Sequence, residues 1–192
     1  MLILIIGLLL FLGLHSLRMI APAWRTRQIE QRGLKGWKNI YSVLALIGFI
    51  LIVIGYGAAR QQSTLLWTPP LALHYVAALL TLPAFILLAA ANVPGNAIKN
   101  RLQHPMVLGV KVWAFAHLLV AGTIADIVLF GSFLMWAICD FRSVRQRPDS
   151  AGKIVAPTSS GTAITVIAGV VVWALFTFYL HEWLIGVAPI SQ

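Results

Sequence analysis

The sequence predicts an all-α protein, a polytopic membrane helix bundle with six transmembrane helices, built as one domain over residues 1–192. Three observations predict it. Hydrophobic residues make up 60% of the chain and charged ones only 10%, with a mean hydropathy of +0.90, a composition of membrane proteins rather than of soluble domains. Six apolar runs approach or reach the roughly 20 residues that a helix needs to cross the hydrocarbon core. The basic residues sit almost wholly between those runs.

The first run covers residues 2–20, carries His15 and Ser16 toward its end and is closed by Arg18. No basic residue precedes it and Pro22 interrupts the Ala21-Pro22-Ala23 step, so it reads as a retained helix rather than a cleaved leader. A basic connector follows, with Arg25, Arg27, Arg32, Lys35 and Lys38 against Glu30, flanked by Trp24 and Trp37 as aromatics flank a membrane interface. It is expected to lie along the headgroups. The second span covers residues 40–59, where Gly48, Gly55 and Gly57 offer places for close helix contact. After Arg60 and a polar turn with Trp67, the third span covers residues 71–91, with His74 near its start and Pro83 near its middle. Residues 92–103 read as a turn.

The fourth run, residues 104–122, holds His104, Lys111 and His117. Hydrocarbon penalises such groups by a few kcal/mol each, so the protein interior should receive them. At about 100° per residue, His104 and Lys111 share one face while Gly109, Trp113 and His117 share another. A flat group could approach the backbone at Gly109 and stack near the Trp113 indole, and a planar metal-bearing cofactor is one candidate for that slot. A histidine bonded to a neighbouring helix is the plain alternative. Lys111 either snorkels to the headgroups or neutralises an acidic group in the bundle. The fifth span covers residues 124–139, with Asp126 placed to cap backbone amides. A loop over residues 140–161, carrying Arg142, Arg145, Arg147 and Lys153, reads as flexible. The last span, residues 162–185, ends in the aromatic cluster Phe178, Tyr179 and Trp183, where His181 beside Glu182 reads as solvated.

The loops after spans one, three and five hold six, two and four of the fourteen basic residues. That bias puts those loops in the cytoplasm and both termini on the periplasmic side of a bacterial inner membrane. It also explains the net charge of +9 by orientation and contact with anionic membrane lipid, so no nucleic-acid partner is expected. One cysteine, Cys139, excludes a disulfide framework, and no CxxC, HExxH, phosphate loop or nucleophile elbow occurs.

Two axial histidines of a haem can come from different helices, each fixed in tautomer by a second partner. Judged by depth, His74 with His117 is a comfortable pair, whereas His15 and His117 differ by roughly 11 Å along the membrane normal at the helical rise.

Several segments together resemble one family. Leu14-His15-Ser16-Leu17-Arg18, His104-Pro105-Met106 with Gly109, Trp113-Ala114-Phe115-Ala116-His117-Leu118-Leu119, Leu129-Phe130-Gly131 and His181-Glu182-Trp183-Leu184-Ile185-Gly186-Val187 are similar to the NnrU family of integral membrane proteins. The likeness covers essentially the whole chain. Ala121-Gly122-Thr123 and Gln103 depart from the Asn-Gly-Asp and the arginine that members often carry there. NnrU proteins are associated with denitrification, and the same family domain forms the plant 15-cis-ζ-carotene isomerase, a haem b enzyme.

The resemblance therefore implies haem b as cofactor, with His15 and His117 as its axial ligands. His74 stays the alternate on depth, and the helix-face reading has Trp113, Gly109 and Lys111 line the cofactor. Three functions follow from it or stand beside it. The first is a haem protein linked to nitrite and nitric oxide reduction, and the second a haem-dependent isomerase of an apolar polyene reached from the lipid. The third is a structural assembly subunit. A weaker likeness to isoprenylcysteine-type membrane methyltransferases lacks their paired glutamates, since Glu30 and Glu182 are the only two here.

Overall fold

The structure is a computed structural model and describes residues 1–147 and 155–190. Lys153, counted among the basic residues of the last loop, lies outside the described residues. The described chain is helical: α1 (Leu2–Ile20), α2 (Pro22–Gln61), α3 (Leu71–Asn92), α4 (Ala97–Leu102), α5 (Pro105–Leu118), α6 (Ile124–Arg145), α7 (Ser159–Leu175), a π-helical segment (Phe176–Leu180) and α8 (His181–Ile185).

Five stretches are long and apolar enough to cross a membrane: α1, α2, α3, α6 and the run from Ser159 to Ile185. The expected sixth is shorter than its apolar run. Helix α5 has 14 residues, about 21 Å at 1.5 Å per residue, below the roughly 30 Å hydrocarbon thickness. What ends it is the loop before α3, which captures the following carbonyls. Gly122 O accepts from Leu66 N at 2.8 Å, and Ala121 O accepts from the Trp67 indole at 2.8 Å. Leu65 pairs with Thr123 as an isolated antiparallel bridge. Those carbonyls do not carry a helical ladder on into α6, and past Leu118 the amides of Val120 and Ala121 bond only three residues back, to His117 O and Leu118 O, which closes the helix there.

The basic connector is a second correction. It is helical from Pro22, where proline at the helix start loses no needed amide. The helix breaks only at Gly33, whose φ of 71° and ψ of 158° suit glycine and few other residues. Across that break Trp24 meets Trp37 edge-on, ring centres 5.8 Å apart, and Trp37 is buried rather than interfacial. At the other basic loops the helices also run further than expected. Helix α6 continues past Cys139, which is exposed, to Arg145, and α4 forms inside the turn before α5, started by Asn96 accepting from Lys99 N.

Helices α1 and α2 form a hairpin whose close contact is made by glycine. A Cβ on Gly7 would stand 2.7 Å from Ile52 N, one on Gly48 would stand 2.9 Å from Phe11 N, and one on Gly55 would strike Leu4 N. Gly57 meets nothing within 4 Å and plays no part in this contact. The hairpin packs on α6, α6 on α5, α5 on α3, and α3 on α7. Outward faces are apolar: Leu9 is 70% exposed, Leu79 66% and Met135 65%. Surface of that extent is unfavourable in water and ordinary in hydrocarbon. The structure is thus that of a multi-pass membrane protein.

Candidate cofactor site

Aromatic side chains from three helices form a seam through the bundle. Phe11 on α1 lies 5.9 Å from Phe133 on α6, and Trp113 on α5 lies 5.5 Å from Phe133 and 5.3 Å from Phe130. A histidine closes each end. His15, toward the basic end, packs 4.2 Å from Phe11, 5.5 Å from Tyr41 and 6.0 Å from Trp136. His117, toward the opposite end, packs 4.6 Å from Phe130 and 5.0 Å from Trp113.

The two rings share one device. His15 Nδ1 lies 2.7 Å from Phe11 O and His117 Nδ1 lies 2.8 Å from Trp113 O, each one turn back on its own helix. A carbonyl only accepts, so each Nδ1 carries the hydrogen and each Nε2 is left with a lone pair. That is the tautomer of a histidine that binds metal through Nε2.

The structure does not bring His15 and His117 together. Their neighbours Trp136 and Phe130 are six residues apart on α6, about 9 Å at the helical rise, and Phe11, Phe133 and Trp113 occupy the space between. It does bring His117 and His181 together. Their ring centres are 6.4 Å apart and their planes are inclined by 23°. His181 is not the solvated residue that its neighbour Glu182 suggests. Its Nδ1 lies 2.7 Å from Val187 O, which fixes the same tautomer again. The signal that could have found it is Gly186, placed to reverse the chain and bring Val187 back.

The other expected residues are spread apart. Gly109 opens no slot: a Cβ there would stand 3.0 Å from Ala84 O and 3.1 Å from Leu88, so α3 fills that space. Trp113 belongs to the aromatic seam. Lys111 reaches toward the basic end, its Nζ 5.6 Å from the centre of the Phe141 ring, as a snorkelling lysine does. His104 sits at the start of α5, where burial pushes its pKa below the ordinary histidine range, Asp140 opposing and Arg147 and Arg145 adding to the fall. His74 on α3 has its Nε2 buried without a hydrogen-bond partner among the described residues.

Sequence reasoning placed Asp126 as a capping residue, and it is one. Thr123 and Asp126 form a reciprocal capping box at the start of α6. What it missed is that Tyr56 on α2 donates to the same carboxylate at 2.7 Å.

Among the described residues no group of three or more His, Cys, Asp or Glu side chains is arranged to hold a bare metal ion. A haem asks less of the protein, because the porphyrin supplies four ligands and two imidazoles suffice. His15 and His117 each leave Nε2 for that role, in the tautomer such ligands adopt.

A family model described as NnrU protein matches residues 3–189 of the chain. No curated protein and no solved structure matches it.

Proposed function

Since the chain belongs to the NnrU family over residues 3–189, we propose that it is a haem b-binding protein of the bacterial inner membrane that supports nitrite and nitric oxide reduction. His117 supplies an axial ligand, and the basic end of the bundle faces the cytoplasm. The observation that carries this reading is the state of His117. It is an imidazole in the last turn of α5, walled by Phe130 and Trp113, with its Nδ1 hydrogen committed to Trp113 O. Its Nε2 is thereby left with a lone pair, in the tautomer that a metal-binding histidine adopts.

Bound haem would supply a one-electron iron centre whose potential depends on its axial ligands and burial. The chain's own part is positional. Trp113 O holds the His117 ring in orientation, and the Phe130 and Trp113 rings exclude water from it. His15, the partner that the family resemblance implies, carries the same fixed tautomer, but a haem joining it to His117 must displace Phe11, Phe133 and Trp113.

The test is the visible spectrum and iron content of the protein purified from haem-replete cells, with His117→Ala alongside. A Soret band with stoichiometric iron is expected in the parent and a loss of most of it in the variant. A colourless, iron-free parent refutes the reading.

A further inference from the structure

We propose that the cleft between α1 and the folded-back start of α2 is a binding site for one anionic phospholipid, its acyl chain among the apolar walls and its phosphate on Arg32. The site is separate from the haem reading above. The course of α2 creates it. Trp24 and Trp37 are thirteen positions apart in sequence and would stand about 20 Å from each other along a continuous helix, yet their ring centres are 5.8 Å apart. The break at Gly33 is responsible: its φ of 71° and ψ of 158° fall in a region that is essentially glycine's alone. The arm of residues 22–32 is thereby laid back along the residues that follow it, and a cavity of about 210 Å³ lies between the two and the end of α1.

The lining of this cleft is graded as a phospholipid is. Leu14 and Leu17 on α1 and Leu44 on α2 line it from the apolar part of the hairpin, whereas Gln28 and Arg32 line it from the arm. Trp24, Gln28 and Arg32 recur every fourth residue, so one face of the arm supplies all three. Gln28 Oε1 accepts from Arg32 Nε at 3.0 Å. That contact holds the guanidinium and leaves its two Nη groups for a phosphate, the planar two-pronged pairing that arginine makes best. Charge favours the same occupant. Residues 22–38 carry Arg25, Arg27, Arg32, Lys35 and Lys38 against Glu30, and basic pockets at the ends of membrane helices take anionic headgroups. The volume suits part of one acyl chain, being below the roughly 300–1,000 Å³ of sites that enclose drug-sized ligands. A free phosphate would leave the apolar walls uncovered. Tyr41 also lines the cleft and stands 5.5 Å from the His15 ring, so the seated lipid borders the aromatic surroundings of that histidine.

The experiment titrates the full-length protein, in detergent micelles, with dioleoylphosphatidylglycerol or dioleoylphosphatidylcholine and counts retained lipid by native mass spectrometry. One phosphatidylglycerol per chain is expected, held more tightly than phosphatidylcholine, whose choline cation is repelled by the surrounding bases. Arg32→Gln should weaken that binding by about tenfold or more, the loss of a charge-assisted pair. Arg27→Gln removes the same charge from the same arm outside the cleft and should weaken it far less. Leu17→Trp keeps every charge, fills the apolar wall and should lose the lipid. Equal retention of the two lipids, equal weakening by Arg27→Gln and Arg32→Gln, or full retention in Leu17→Trp overturns the inference, since each leaves only diffuse attraction between bases and headgroups. A lipid-free dimer that Leu17→Trp converts to a monomer would assign the cleft to a second copy and overturn it as well.

Discussion

The contact between Tyr56 and Asp126 joins the α1–α2 hairpin to the rest of the bundle through one carboxylate, and its strength can be worked out. Asp126 Oδ1 accepts from the Tyr56 hydroxyl at 2.7 Å, and Oδ2 accepts from Thr123 N at 2.9 Å. A hydrogen bond to a charged acceptor contributes roughly 1.5–3 kcal/mol in soluble proteins. Between membrane helices the average falls to about 0.6 kcal/mol, with a maximum near 1.7. This bond is half-buried at the end of its helix and accepted by a carboxylate, so Tyr56→Phe should cost about 1.5 kcal/mol. Asp126→Ala removes that bond and the cap together, and a lost cap costs about 1 kcal/mol, giving about 2.5. The double variant should then be no less stable than Asp126→Ala alone, a coupling of about 1.5 kcal/mol. Equilibrium unfolding in mixed micelles, followed by tryptophan fluorescence, measures all four corners of the cycle. A coupling within about 0.3 kcal/mol of zero would show that the two groups do not meet, and the hairpin would have to be docked some other way.

Three further outcomes are expected. Gly55→Ala should destabilise the protein by more than about 2 kcal/mol, because the new methyl would strike the Leu4 backbone and force α1 away from α2. Gly57→Ala, one step outside that contact, should instead stabilise by about 0.5–1 kcal/mol through helix propensity; thermal melts that rank these two alike would contradict the packing. In haem-free protein, His74→Leu should raise stability by about 1 kcal/mol, since it deletes a buried nitrogen that lacks a partner, and a loss of stability in the same melt would mean that this nitrogen is satisfied.

The span pattern could be read from the sequence because it depends on runs of residues. The bounds of α1 agree with the apolar run that predicts them, and α3 ends one residue beyond it. The disagreements arise where a distant segment decides. Nothing within residues 104–122 says that Ala121 and Gly122 will give their carbonyls to Trp67 and Leu66, and so the fourth span reads as longer than α5 proves to be. The basic connector fails for a different reason. Its charges are a reason to keep it out of hydrocarbon, but charge does not oppose helix formation, and only Gly33 marks where the helix must bend.

The histidines divide along the same line. Residue type and the apolar surroundings identify His117 as a group that needs a reason to be buried, and helix periodicity places Trp113 beside it. Its partner is another matter. Depth arithmetic treats each span as a straight rod, and on such a rod His181 belongs to the exposed end of the last helix. Two departures from regularity move it: the π-helical turn before it and the left-handed Gly186 after it. Neither alters the apolar period that predicts a span, so no reading of periodicity can anticipate the pairing. The same reasoning makes Gly186 the residue on which the pairing depends without touching it. Gly186→Val should strain the reversal at φ 74° by about 1–2 kcal/mol and release the His181 ring from Val187 O while the spans themselves stay folded. Unchanged imidazole nitrogen shifts of His181 in that variant would mean that the ring is held by something other than the turn.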